Sequence, residues 1–439
     1  MNQIIIKNIT LITENAEVLP SRAVVIEEGI IAKITSASKE TVQEDKAAPK
    51  VIDGTGLFLS PGIPNLHVHT AMNIFRGIAE DCTADQWFNE KIFPFESKMT
   101  PEDVYLGTRM GIAEMANNGV TVFADHYFME DQVLKAVEDT GIRADLAPTV
   151  FGTAPDFEKR LADTIDFIET HKNDSDRIAF HAGPHATYTC PPDTLRKIAD
   201  TAKAHSLPIH IHISEEKAQL DLCLKQYGKT PFEYLHDSGA FEGKVLLAHG
   251  LWMVKEDLRF INKDTVFAFC PKTYMKLGSG RGGLFDLYSE VNLCFGTDGA
   301  ASSNTLNPVE QARLFALLVK YQESDGRIAD SAYVWKRLMA GHEAFPFGTG
   351  KIKEGAPADL VIWDLNTPDT MPVYDPVTAI LYSSNSGNVK YTMAAGEFLK
   401  AEGKLVSKVD LDPVEAEKAR IELLKRGKGE AKVAYLKEN

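Results

Sequence analysis

Four places in the chain set imidazole or carboxylate groups at the ends of short β-rich runs: His67-Val68-His69, His210-Ile211-His212, His249 and Asp298. Residues two apart on a strand face the same side, so His67 and His69 can reach one ion together. Zinc or ferrous iron accepts two such imidazoles, a third from another strand and a carboxylate, with an open position left for water. That donor set suits metal-assisted hydrolysis. An H-x-H pair alone is weak evidence, because paired histidines often serve as ordinary polar residues. Here Asp53-Gly54-Thr55-Gly56 and Pro61-Gly62 precede the pair, and Gly296-Thr297-Asp298-Gly299 follows at the end of a later run. His210 and His212 share a strand face and compete for one role. The H-x-x-E spacing from His212 to Glu215 favours His212 and leaves His210 as a deeper, hydrogen-bonded histidine. His126 and His181 read as structural, Asp125 as a partner for buried polar groups, and His171 and His205 as surface residues.

The elements that must position these groups follow from the periodicity. From about Pro61 to about Gly350, apolar runs at Asn65–His69, Thr121–Asp125, Arg143–Pro148, Ile178–His181, Pro208–His212, Val245–His249, Val266–Phe269 and Asn292–Gly296 alternate with amphipathic stretches. Pro101–Asn117, Asp131–Thr140, Pro192–Ala204 and Pro308–Tyr321 are examples of the latter. Eight strand–helix alternations predict an α/β fold, a (β/α)8 TIM-like barrel, with its chemistry at the C-terminal ends of the strands. Both chain ends are β-rich: Ile4 to Ile12, a hairpin around Gly29, and Val51 to Gly54 at one, Ala358 to Asp364 and Val389 to Glu397 at the other. Neither end closes a core alone, so together they predict a small β-sandwich domain. The expected division is 1–60 plus 351–407 for the sandwich, 61–350 for the barrel, and 408–439 for a charged, peripheral C-terminal helix (Pro413 to Lys428) and tail.

Composition excludes several classes of function. The 439 residues carry a net charge of −15, from 47 Lys+Arg against 62 Asp+Glu, which repels phosphate backbones and anionic lipid. Neither nucleic acid nor membrane is an expected partner. Cys82, Cys190, Cys223, Cys270 and Cys294 are scattered without a C-x-x-C pair, which argues for reduced thiols. No cleavable leader or membrane span is legible, so the expected location is cytoplasmic. Homo-oligomerisation is compatible with a barrel carrying a lateral domain, but no residue pattern fixes its order.

Val51-Ile52-Asp53-Gly54-Thr55-Gly56, Pro61-Gly62, His67-Val68-His69, His212-Ile213-Ser214-Glu215, Leu247-Ala248-His249, Gly296-Thr297-Asp298-Gly299, Gly350 to Gly355 and Ala358-Asp359-Leu360-Val361 together resemble the signature of metal-dependent amidohydrolases. Phe75-Arg76-Gly77-Ile78-Ala79-Glu80-Asp81, Gly183-Pro184-His185 and Lys276-Leu277-Gly278-Ser279-Gly280 are similar to the S-adenosylhomocysteine and methylthioadenosine deaminase branch, whose relatives include triazine hydrolases and guanine deaminases. The resemblance spans nearly the whole chain. It implies His67, His69, His212 and Asp298 as ligands of a divalent metal, Zn2+ or Fe2+. It also implies Glu215 as the acid–base residue and His249 as a catalytic partner of the activated water, beside Asp298. Binuclear relatives use a lysine on strand four, which Arg177 to Pro184 lacks, so one metal is expected.

The same resemblance implies a small-molecule nucleoside or nitrogen heterocycle as substrate, with Glu96 on ribose hydroxyls, Trp87 as an aromatic wall, His185 as a donor to the ring and Arg160 at the distal end. Two departures bear on specificity. Pro148 stands where relatives carry an arginine. Cys270-Pro271-Lys272-Thr273-Tyr274 replaces a Cys-Pro-x-Ser-Asn pattern, so Lys272 and Tyr274 are expected to reshape the pocket. The expected activity is release of ammonia from an adenosine derivative. The alternatives are a deaminase or dechlorinase of a guanine, pterin or triazine ring, and a barrel that has lost catalysis.

Overall fold

The computed structural model describes residues 3–36 and 49–434. The N-terminal segment forms β1 (Ile4–Ile12), β2 (Val18–Glu27), β3 (Ile30–Ser36), β4 (Lys50–Asp53) and β5 (Phe58–Pro61). The two-residue turn between β2 and β3 puts both Glu28 (φ 51°) and Gly29 (φ 79°) in the left-handed region, the geometry that matches the twist of a tight hairpin. After the central insert come β15 (Leu360–Trp363), β16 (Val389–Ala394), β17 (Glu397–Ala401) and β18 (Lys404–Leu405). β15 pairs antiparallel with β5, so both chain ends join in one nine-stranded sheet. That sheet curls until Ile31 N–H meets the Ala356 carbonyl and Ala358 N–H meets the Gly29 carbonyl. Ile6, Ile9, Leu11, Val24, Ile31, Leu59 and Ile362 pack inside the curl as a core separate from that of the insert.

The insert begins one residue after β5. β6 (Ile63–Val68), β7 (Val120–Tyr127), β8 (Arg143–Val150) and a strand interrupted into β9 (Ile178–Phe180) and β10 (Gly183–Pro184) form one parallel sheet. β11 (Ile209–Ile213), β12 (Val245–His249), β13 (Thr265–Phe269) and β14 (Leu293–Phe295) form a second. Parallel bridges Ala182↔Ile209 and Ala186↔His212 join the sheets on one side. On the other, Thr297 and Asp298 N–H both donate to the His67 carbonyl at 3.0 Å. The barrel closes through eight strand positions, with helices such as Pro101–Asn117, Glu130–Thr140, Pro192–Ala204 and Pro308–Glu323 outside. The sequence-derived strands all reappear within a few residues. The change of partner at His181–Ala182, from the Leu146 carbonyl to that of Pro208, is not marked in the apolar run.

The C-terminal helix spans Pro413–Arg426, capped by the Asp412 side chain on Val414 N–H. It packs against Pro101–Asn117, with Arg426 paired to Asp103. The chain beyond it returns towards the loops above the barrel: Glu430 N–H donates to the Glu90 carbonyl and Lys432 N–H to that of Ile78. Among the described residues, no helix is long and apolar enough to cross a membrane.

Candidate metal centre and active site

The strand-finish end of the barrel gathers the histidines. His67 Nδ1 lies 3.0 Å from His210 Nε2, His69 Nδ1 lies 2.5 Å from the His126 carbonyl, and His212 Nδ1 lies 2.7 Å from the His185 carbonyl. A carbonyl can only accept, so His69 and His212 must carry their protons on Nδ1. In the neutral rings that metal ligation requires, their Nε2 atoms present lone pairs, and the two Nε2 atoms lie 3.2 Å apart. With Nδ1–H donating to His210, His67 presents the same face. Its Nε2 is fully buried and has no hydrogen-bond partner among the described residues. Asp298 Oδ1 sits 3.5 Å from His69 Nε2 and 4.0 Å from His67 Nε2. Three acceptor nitrogens and a carboxylate oxygen converging in a buried space repel one another unless a cation lies between them. The donor set fits one divalent metal, each imidazole being oriented through its far nitrogen.

Desolvation reinforces this. Burial, then neighbouring imidazoles, hold His67 and His212 well below the usual histidine range, so both are neutral and free to ligate. Asp298 is fixed by Thr273 Oγ1 at 3.1 Å and Ser302 Oγ at 2.8 Å on Oδ2, and by Gly299 N–H on Oδ1. Three non-glycine residues at this rim have left-handed backbones: Ser214 (φ 45°), His249 (φ 74°) and Asp298 (φ 58°). Such strain collects where side-chain direction matters more than backbone comfort.

Beside the nitrogens stands a second group, Glu215, His249 and Asp298, whose ligating atoms all lie within 4.8 Å of one another. Glu215 Oε2 is 3.7 Å from His249 Nε2. Burial, then the charges of Asp298 and Glu216, push the Glu215 carboxyl well above its usual range, which favours a carboxyl that can hold and release a proton. Burial, opposed by Asp298, brings His249 down to about 4, so this imidazole is neutral.

The residues expected to meet substrate divide. Glu96 accepts a 2.8 Å hydrogen bond from Tyr127 OH, and burial raises its carboxyl pKa, offset by Tyr127 and by nearby His69. His185 stacks on Phe151 (centroids 4.5 Å apart) and holds Thr189 through Nδ1, leaving Nε2 for a ligand. Trp87 is half-buried and donates from Nε1 to the Ala301 carbonyl, three residues beyond Asp298. Arg160 stands apart on an exposed helix face, with its guanidinium on Asp156. Lys272 points its ammonium at Glu310 and Thr305, and Tyr274 is buried behind His249. Helix Pro271–Leu277 turns Lys272 towards the Glu310 carboxylate and Tyr274 towards the His249 imidazole. Sequence reasoning missed Tyr127, Thr273 and Ser302 as supports, for they are commonplace residues given meaning only by contacts across strands.

The Amidohydrolase family profile matches residues 58–399. A 5-methylthioadenosine/S-adenosylhomocysteine deaminase of Thermococcus kodakarensis is 38% identical over 361 residues, covering 81% of this chain and 85% of that protein. Among solved structures, an adenosine deaminase from Xanthomonas campestris with bound zinc superposes with a TM-score of 0.89 at 25% identity, covering 97% of this chain and 98% of the other. An atrazine chlorohydrolase from Arthrobacter aurescens, complexed with zinc, shares the fold (TM-score 0.84, 20% identity, 96% and 100% covered).

Proposed function

We propose that this chain, which belongs to the amidohydrolase family, is a single-metal deaminase that replaces the exocyclic amine of an adenosine derivative by oxygen. The observation that carries this reading is the convergence of the His67, His69 and His212 ring nitrogens with Asp298, beside the half-buried Glu215 carboxyl. The deaminase relative at 38% identity supports the choice of substrate class, and the zinc-bound structural neighbour supports zinc as the metal.

His67, His69, His212 and Asp298 are the residues to hold the cation. A divalent ion so held would lower the pKa of water from about 15.7 to about 7 and so supply a nucleophile at neutral pH. Glu215 takes one proton from the attacking water and passes it to a ring nitrogen, which makes the adjacent carbon electrophilic. It carries the second proton to the amine, which departs as ammonia while the carbon keeps the oxygen. His249 Nε2, facing Glu215 Oε2, lies where it can hydrogen bond to the incoming oxygen. Glu96 keeps one carboxylate oxygen for a sugar hydroxyl after accepting from Tyr127, His185 offers Nε2 to the ring, and Trp87 forms a wall.

The test is ammonia release from adenosine, methylthioadenosine and S-adenosylhomocysteine, run beside guanine, pterins and aminotriazines, with a Glu215→Gln control. Turnover of an adenosine derivative that disappears in the control is the expected result. Turnover of another ring alone overturns the substrate class, and undiminished turnover in the control overturns the role of Glu215.

A further inference from the structure

Tyr274 has two hydrogen-bond neighbours among the described residues. Its hydroxyl oxygen lies 3.0 Å from Cys270 N and 3.2 Å from His249 Nδ1. The side chain is only 3% exposed, so no bulk water completes its bonding. Cys270 N–H can only donate, which occupies one lone pair of the Tyr274 oxygen. Two arrangements remain. If His249 Nδ1 carried a proton, the Tyr274 oxygen would accept twice and its own hydrogen would be buried without an acceptor. If Tyr274 donates to His249 Nδ1, every group is satisfied, and the imidazole proton resides on Nε2. An orphaned buried donor costs enough to choose between tautomers. Burial also pushes the Tyr274 hydroxyl well above its ordinary range, so the phenol keeps the proton it donates.

The direction of Nε2 gives this choice a consequence. That atom faces Glu215 Oε2 at 3.7 Å, in the space beside Asp298. A backbone held at φ 74° on the last residue of β12 aims it there. His69 and His212 show the opposite pattern, their Nδ1 protons being tied to backbone carbonyls so that in the neutral ring Nε2 is the lone pair. Two tautomers therefore coexist at one rim, each fixed by what lies behind the ring.

We propose that Tyr274 is a positioning residue that fixes His249 as the Nε2–H tautomer, making His249 a hydrogen-bond donor to oxygen at the reaction centre and unfit to serve as a metal-ligating lone pair or as a base. The proposal rests on the assignment of His249 to the reaction centre made above. It gives a role to the contact by which a tyrosine on helix Pro271–Leu277 reaches the ring at the end of β12.

The experiment compares the zinc-loaded wild type with Tyr274→Phe, His249→Gln and the double variant. Ammonia release gives kcat and KM, metal content is measured on each, and histidine-selective 15N NMR reads the tautomer, with His249 assigned by its loss in H249Q. In the wild type, the His249 proton is expected on Nε2. In Y274F the expected result is a shift of the proton towards Nδ1, an unchanged metal content, and a kcat lowered about 10- to 100-fold with KM changed less than about 3-fold. The double variant should be no slower than H249Q, since Tyr274 acts through that ring. An Nδ1–H resonance in the wild type overturns the proposal without need of any variant, so it stays testable if Y274F fails to fold. An unchanged tautomer or an unchanged kcat in Y274F overturns it too. If H249Q itself retains full kcat, the failure lies with the assignment of His249, which distinguishes the two.

Discussion

Both ends of the barrel bury histidines and carboxylates, but they treat them differently. At the strand-start end, Arg143 Nε meets Asp359 Oδ1 at 2.9 Å, with both side chains 5% exposed or less. His342 receives the Thr349 hydroxyl on Nδ1 and donates from Nε2 to the Gly62 carbonyl, at 2.8 Å each. His181 pairs with Asp145 at 2.5 Å. The Arg143 Nε, Arg143 Nη1 and both His342 nitrogens there meet protein partners, and these pairs tie the barrel to the terminal sheet and to the turn before β6. At the strand-finish end the same residue types aim lone pairs at one another, and three non-glycine backbones adopt left-handed angles. Polar groups complete in themselves hold a structure; polar groups completed only by something foreign mark a site.

The sharpest way to break this contrast is Glu215→Gln. It should lower kcat by about 10²- to 10⁴-fold while leaving the melting temperature and metal content near wild type. Stopped-flow or coupled ammonia assays, with metal analysis, check it. Asp359→Asn at the opposite end should do the reverse, costing about 3 kcal/mol or more of stability by stranding Arg143, with kcat per folded molecule unchanged. Denaturant titration measures this.

His342→Gln sharpens the contrast through pH. Burial, partly opposed by the Gly62 hydrogen bond, lowers His342 to about 4 from an ordinary 6.5. Between those values the unfolded chain binds a proton that the folded chain refuses. The stabilisation is thus complete above about pH 6.5 and is lost as pH falls towards about 4, a span of about 3 kcal/mol for this one group. The variant should flatten that part of the stability profile, as measured by unfolding at stepped pH. The smallest effect belongs to Arg160→Ala, whose partner is the exposed Asp156. Its KM should change less than about 2-fold, in keeping with the small worth of exposed pairs.

The contrast also sorts what the sequence made legible. His67, His69, His212 and Asp298 stood out because strand alternation and the ends of apolar runs are one-dimensional patterns. The spacing to Glu215 singled out His212 over His210, and it is His212 whose ring nitrogen gathers with those of His67 and His69. The supports were hidden. Thr273 and Ser302 on Asp298, Tyr127 on Glu96 and Tyr274 on His249 are contacts between elements 25 to 31 residues apart or between a helix and a loop, with no periodic signature. Lys272 illustrates the same limit: its type suggested a pocket charge, while its direction is set by Glu310 on another helix. In the fold, the eight strand positions were legible and the interruption between β9 and β10 was not, because a two-residue break in pairing depends on neighbours rather than on residue type.

The most direct test of the account is the metal content of the purified chain, measured by mass spectrometry of the element beside His69→Ala and His212→Ala variants. The account predicts one divalent ion per wild-type chain, lost from both variants while their terminal sheets remain folded. Two ions per chain, none, or undiminished binding in the variants would contradict it.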